Sequence, residues 1–503
     1  MELLESSLQC LTTKEKKYFR KNIESYRDAQ LTLQLYDLLI QEKTVEDKLI
    51  RKKLFSKEER TNQAYYMLRS RLYQKLIEFL KDEFNNTDSS GEAQAASLIY
   101  VAQNFINRKA YQPADDLLRR AEKLAEEAHL FEHLALIYAK RLAHADHLVA
   151  NFDELVSKAT SNLEIREQMY KLNIAFASIR KKLQELRRSG SHFDPEETIR
   201  ETLKPFHFTR QNIRTNPVFM HRLAELWRSV IISAKSYSAF KPFLLKAYRS
   251  LEQANAFHGY NKHLQLDLVF YITHVNYRTR DFTEATKWNL ILENFLQEEQ
   301  FQGHPTKIKL IGIKAGIAFY SKKPQEAISI LVDYLNDNAN LSNTREYLNL
   351  QLNFAVYTFF QKSYSEANRI LRSLPAKNKQ KEDLMGHEWY FKHDLIEVIF
   401  QYELGNTDIA WKYLQRIKTQ YAQLLQEPNY QRVQKFIGFI EIFLNKPEEI
   451  TQPNFAQRVQ ESNIKLVGEN EDIQAILFFC WLRSKMQRKD CYEVLLERVH
   501  EME

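Results

Sequence analysis

Four histidines, His129, His133, His144 and His147, stand close together in "HLFEHLALIYAKRLAHADHL" at residues 129–148. On one continuous helix they would share a face, and each pair spaced three or four residues apart could bring two imidazoles to a metal ion. Against that chemistry, His-Leu-Phe-Glu-His lacks the His-Glu-x-x-His order of zinc hydrolases, and the two pairs would lie about 16 Å apart along the axis. Asp146 is the one further ligand nearby. The expectation is a polar helix face and no metal.

The second group with chemical potential is basic. Between Arg200 and Arg280 stand 13 Lys and Arg against four acids, a balance of +9 in a chain whose total is +7. Charge on this scale is an electrostatic footprint for an anionic partner. Arg210, Arg214, Arg222, Arg228, Lys235, Lys241, Lys246 and Arg249 are the expected partner-binding residues. Phe206, Phe208, Trp227, Tyr237, Tyr248, Phe257, Tyr260 and Tyr277 lie among the cations. Cations with rings suit single-stranded nucleic acid, phosphates on one and bases on the other. They suit an acidic protein segment equally, if the rings are core.

Other chemistry finds no support in the residues. There is no Gly-x-Gly-x-x-Gly, no Gly-Lys-Ser/Thr phosphate loop and no Gly-x-Ser-x-Gly. No catalytic residue and no cofactor is therefore expected. Cys10, Cys480 and Cys491 form no close pair with metal or redox spacing, as in a reducing compartment. The opening "MELLESSLQCL" carries Glu2 and Glu5 where a signal peptide is basic, and Leu8-Gln9-Cys10 lacks the apolar run of a lipoprotein signal. The stretch "AILFFCWL" at 475–482 is too short to span a bilayer. A soluble, cytoplasmic protein is expected.

What elements would position these residues? Hydrophobic content of 44% suffices for a large core, while only 10 glycines and 11 prolines leave too few turns for sheets or nucleotide folds. The chain reads as all-α. A repeat supports this. "AFYSKKPQEAISIL" at 318–331 has relatives in "NYRTRDFTEATKWNLIL", "TFFQKSYSEANRIL" and "NFINRKAYQPADDLL". Each ends a helix in aromatics, crosses a polar turn and starts another helix at a small anchor. Taking Ala327 as reference, the anchors are Ala114, Leu155, Glu196, Phe240, Ala285, Ala327, Ala367, Ala410, Ile450 and Val494, 40 to 45 residues apart. That period holds two helices of about 17 residues each and two turns.

These corners resemble the tetratricopeptide family, in a longer period and without its Trp-x-x-Leu-Gly start. The resemblance implies a right-handed α-solenoid of about ten helical hairpins over residues 92–503. It also implies a concave surface for protein or peptide, and hence a non-enzymatic adaptor or scaffold. The alternative is a nucleic-acid-associated regulator that uses the basic middle or the N-terminal module.

Residues 85–91, "NNTDSSG", read as a linker after an N-terminal helical module at 1–84. In that module Thr12 or Thr13 should cap a helix, and the pattern is similar to the front of bacterial helical-repeat proteins that bring no activity with them. Its short helices before a longer one also suit a helix-turn-helix, with Arg60, Asn62, Gln63, Arg69 and Arg71 as DNA contacts. The other expectation is a cap over the first repeat's apolar end.

Overall fold

The computed structural model describes residues 4–5, 7–8, 11–24, 29–41, 47–55, 61–87, 91–148, 151–189, 194–206, 216–234, 237–257, 261–342, 344–376, 379–427, 430–461 and 473–500. Arg60, Phe208, Arg210, Arg214, Lys235 and Tyr260 lie outside them, as do residues 88–90 of the expected linker.

One backbone conformation makes the corners. Lys109, Arg280, Lys322, Lys362 and Gly405 each sit five residues before an anchor, at φ of 60°, 64°, 63°, 62° and 81°. A left-handed residue reverses the chain after a helix and lets the next N–H reach back to a carbonyl of the last turn. Those bonds are present: Ala110 N–H to Phe105 O at 2.9 Å, Lys323 to Ala318 at 3.0 Å and Asn406 to Gln401 at 2.9 Å. The helix that follows is then started, by Pro324 at its first position in one corner and by the Asp281 side chain accepting from Glu284 N–H in another.

Among the described residues the elements are helices and turns, with no strand. In the N-terminal part they are α1 (Thr13–Glu24), α2 (Ala29–Gln41), α3 (Asp47–Leu54), α4 (Thr61–Thr87), α5 (Gly91–Asn107), α6 (Tyr111–Glu127), α7 (Phe131–Ala143) and α8 (Phe152–Ser189). They continue as α9 (Pro195–Leu203), α10 (Pro217–Ala234), α11 (Phe240–Gln253), α12 (Lys262–Arg278), α13 (Phe282–Gln297), α14 (Thr306–Tyr320), α15 (Pro324–Asp337), α16 (Arg345–Phe360) and α17 (Tyr364–Arg372). The C-terminal part holds α18 (Lys379–Met385), α19 (His387–Glu403), α20 (Thr407–Gln420), α21 (Gln431–Asn445), α22 (Pro453–Glu461), α23 (Ile473–Gln487) and α24 (Cys491–His500). The chain divides into two compact units, Met1–Arg166 and Glu167–Glu503, and the division falls inside α8.

In the second unit consecutive helices pack as hairpins: α12 with α13, α14 with α15, α16 with α17 and α19 with α20. The two members differ. First helices are buried around most of their circumference, as in α16, where ten of the residues from Tyr347 to Phe360 are buried. Second helices bury one stripe, as in α17 with Ala367, Ile370 and Leu371. A helix apolar all round must be covered on both sides, and first helices also touch the first helix of the next hairpin. They form an inner layer, with the second helices outside it. The small anchors Ala285, Ala327, Ala367 and Ala410 have no accessible surface, as close approach at the corner requires.

Two expectations of the repeat fail locally. Glu196 is exposed in the first turn of α9, where Thr198 and Ile199 take the buried places instead. Residues 152–189 form one helix of 38 residues rather than two of ordinary length, since the stretch holds no Gly or Pro to turn the chain.

In the first unit, Thr12 caps α1 through a reciprocal pair: Glu15 N–H to Thr12 Oγ1 at 3.2 Å and Thr12 N–H to Glu15 Oε2 at 2.6 Å. Arg69 is only 8% exposed and is bound by Glu5 at 3.1 Å and the Tyr65 hydroxyl at 3.1 Å. It is a core residue of this module, while Gln63 and Arg71 are exposed. The four histidines do not share a helix: His129 is in the left-handed turn before α7 at φ 53°, His133 is inside α7, and His144 and His147 follow its end. His147 stacks on Tyr111 with centroids 4.3 Å apart.

The C-terminal hairpin folds back over three corners of the second unit. Tyr492 reaches Phe319, Lys362 pairs with Asp490 at 2.8 Å, and Trp481 and Lys485 both bind Glu403 at 2.5 Å. An open solenoid touches only its neighbours along the chain. Here the C-terminal hairpin also touches hairpins that are not its neighbours along the chain.

Candidate functional site

The inner layer of the second unit carries a cleft of about 500 Å³. Its wall comes from successive first helices and their corners: Arg228 of α10; Phe270, His274, Tyr277 and Arg278 of α12; Arg280 after it; Lys309, Gly312, Ile313 and Tyr320 of α14. Arg345, Asn349 and Asn353 of α16, Met385 of α18, and Glu388, Trp389 and Lys392 of α19 complete it. Six cations and one carboxylate therefore line one concavity. Glu388 lies 3.6 Å from Lys392.

Packing explains how the charges are held. The Arg228 guanidinium lies 5.1 Å from the Tyr271 ring, Arg278 lies 5.0 Å from Tyr237, and the Lys309 ammonium lies 5.6 Å from Phe270. Each ring stabilises the cation beside it, and Arg228 and Arg278 are half-buried while Lys309 is exposed. Among the described residues, Arg228, Arg278, Lys309 and Arg345 have no acidic partner. Arg228 Nε is buried with no hydrogen-bond partner there. The cost of this arrangement appears at His274, which rests on Phe270 and meets Tyr237 edge-on. Burial, then Arg278, Arg228 and Lys309, push its pKa down to about 3, so the imidazole stays neutral.

The chain matches no protein-family model and no curated protein.

Of the expected partner-binding residues that are described, Arg228 alone lines the cleft. Arg222, one and a half turns earlier on α10, lies over the Phe176 ring at 4.3 Å and pairs with Glu225 at 2.7 Å. Lys241 of α11 binds Asp281 at 2.7 Å, bracing the residue that caps α13. Lys246 and Arg249 are exposed on α11, a second helix. Arg210, Arg214 and Lys235 lie outside the described residues. Of the interleaved rings that are described, Tyr237 and Tyr248 are buried and Phe206, Trp227, Phe257 and Tyr277 are half-buried, with Trp227 stacked on Phe243 at 5.1 Å.

No local charge excess marks Lys309, Arg345, Asn349, Trp389 and Lys392, because they are spread over three successive hairpins. The repeat carried the signal. Lys309, Asn349 and Lys392 occupy one register, eighteen residues before Ala327, Ala367 and Ala410, and Arg345 and Glu388 share the register one turn earlier. Asn349 and Lys392 come from neighbouring repeats, and Asn349 accepts from the Trp389 indole N–H at 3.0 Å.

Proposed function

We propose that this protein is a non-enzymatic adaptor that holds an acidic, extended protein segment along the inner helices of its second unit. The observation that supports this is the concentration of cations without acidic partners in the cleft, while Arg222, Lys241 and Lys262 are matched by Glu225, Asp281 and Glu298. Charges already paired steer weakly; a cluster without acidic partners attracts and orients an anion. Among the described residues the lining holds no Ser, Thr or Cys, and its one carboxylate is near a lysine. Phe270 and Trp389 are 5% and 9% exposed, so they present little face for stacking bases, which favours a protein segment over single-stranded nucleic acid.

Fluorescence anisotropy tests the reading, with a labelled Asp/Glu-rich peptide and a labelled single-stranded RNA of equal charge. The peptide should bind the full chain, and Arg278→Gln with Arg345→Gln should weaken it about tenfold or more. Equal affinity for both proteins, or binding of the RNA alone, would reject the adaptor reading.

A further inference from the structure

The cleft has more charge than an extended acidic segment can match. Apart from Arg280 and the Lys392–Glu388 pair, its lining leaves Arg228, Arg278, Lys309 and Arg345 without an acidic partner among the described residues, and His274 is neutral. An extended chain advances about 3.3 Å per residue and turns alternate side chains away, so few carboxylates enter a space of this size. Linked phosphoryl groups bring the required density, at roughly one and a half to two charges for each terminal group. Four of the six cations are arginines, whose planar forks fit phosphate oxygens two at a time. A volume of about 500 Å³ is also that of a small-molecule site.

We propose that this cleft is a binding site for a compact polyphosphate anion, two or more linked phosphoryl groups either free or carried as the head of a small metabolite. Arg228 and Arg278 hold it from one side, and Lys309 and Arg345 from the next two hairpins. The anion screens the mutual repulsion of these cations and bridges α10, α12, α14 and α16. It competes with an acidic segment for the same side chains. The proposal rests on the charge of the cleft and stands whether or not a protein segment also binds there.

Titration calorimetry and thermal unfolding of the full chain test it, with sodium triphosphate, a nucleoside triphosphate and sodium sulfate at matched ionic strength. Lys309 and Arg345 are exposed, so Lys309→Gln with Arg345→Gln should fold. Lys246→Gln with Arg249→Gln removes the same charge from exposed positions outside the cleft.

Triphosphate should bind one per chain and raise the unfolding temperature. The cleft variant should weaken it about tenfold or more, with the α11 variant unchanged. Equal affinity for free triphosphate and the nucleoside form assigns recognition to the phosphates alone, and tighter binding of the nucleoside form assigns a carried head group. No saturable binding of either, or equal loss in both variants, overturns the proposal. Triphosphate binding without peptide binding rejects only the adaptor reading, and the reverse rejects only this one.

Discussion

Tyr492 donates its phenolic hydrogen to the backbone carbonyl of Phe319 at 2.6 Å, across 173 residues of chain. The last carbonyls of a helix have no partner within it. At the end of α14, Ile317 O takes Ser321 N–H at 2.9 Å and Ala318 O takes Lys323 N–H at 3.0 Å. Phe319 O is left for the tyrosine. The rings of Phe319 and Tyr492 also lie 5.0 Å apart, so the contact is apolar as well as polar.

Tyr492→Phe keeps the ring and removes the donor. The full chain should lose about 1 kcal/mol of stability, read as a lower urea midpoint with an unchanged slope. Tyr492→Ala should cost about 3 kcal/mol or more, because it also empties the space against Phe319 and Phe360. No loss in Tyr492→Phe would show that the hydrogen bond contributes nothing, and equal losses in the two variants would show that the ring contributes nothing.

The corners predict an opposite pair of effects. Lys322 and Lys362 hold left-handed backbone that suits glycine better, so Lys322→Gly should stabilise by about 0.5–1 kcal/mol. Gly405→Ala, at φ 81° with open space around it, should destabilise by about 1 kcal/mol. Denaturant melts of the two variants check the signs.

Gly316 is constrained by a neighbour rather than by its backbone. A Cβ there would come within 2.7 Å of Tyr277 Cζ, so Gly316→Ala must displace the tyrosine ring that lines the cleft. A loss of about 1–3 kcal/mol is expected. Gly316→Ala combined with Tyr277→Phe should recover little, since the ring carbon Cε2, at 2.8 Å, obstructs along with the hydroxyl.

His274 links stability to pH. Its pKa in the folded protein, about 3, lies below the ordinary 6.5. As pH falls through 6.5 the unfolded chain takes up the proton first, so the stabilising contribution is full above that value and shrinks progressively towards 3. Between pH 6.5 and 5 this should cost about 1–2 kcal/mol. Urea melts across that range should show the decline, and His274→Gln should flatten it. A bound polyanion raises the imidazole pKa, which nuclear magnetic resonance would detect as its titration moving upward.

The fold class was legible because packing writes itself periodically. Ala285, Ala327, Ala367 and Ala410 stand where two helices meet most closely, and the aromatics before them fill the gap they leave. A cap was legible at Thr12 or Thr13, and the reciprocal bonds with Glu15 place it at Thr12. The cleft was less so. Charge counted along the chain found Arg222 and Lys241, which are matched by neighbouring acids, and passed over Lys309 and Arg345, which converge only after three hairpins have stacked. Arg69 looked available in one dimension and is occupied in three, because Glu5 arrives from a distant part of the module. Partnership, unlike charge, is a property of the folded chain.

The return of the C-terminal hairpin also bears on how such a chain can change length. Open arrays of hairpins gain or lose whole units without offending the rest, as a stack of coins does. Here α23 and α24 must meet the corners at Phe319, Lys362 and Glu403 together, so the hairpins in between span a fixed arc. Deleting or duplicating one of them would leave Tyr492, Asp490 and Trp481 facing the wrong corners. The number of hairpins in that segment is set by these three contacts.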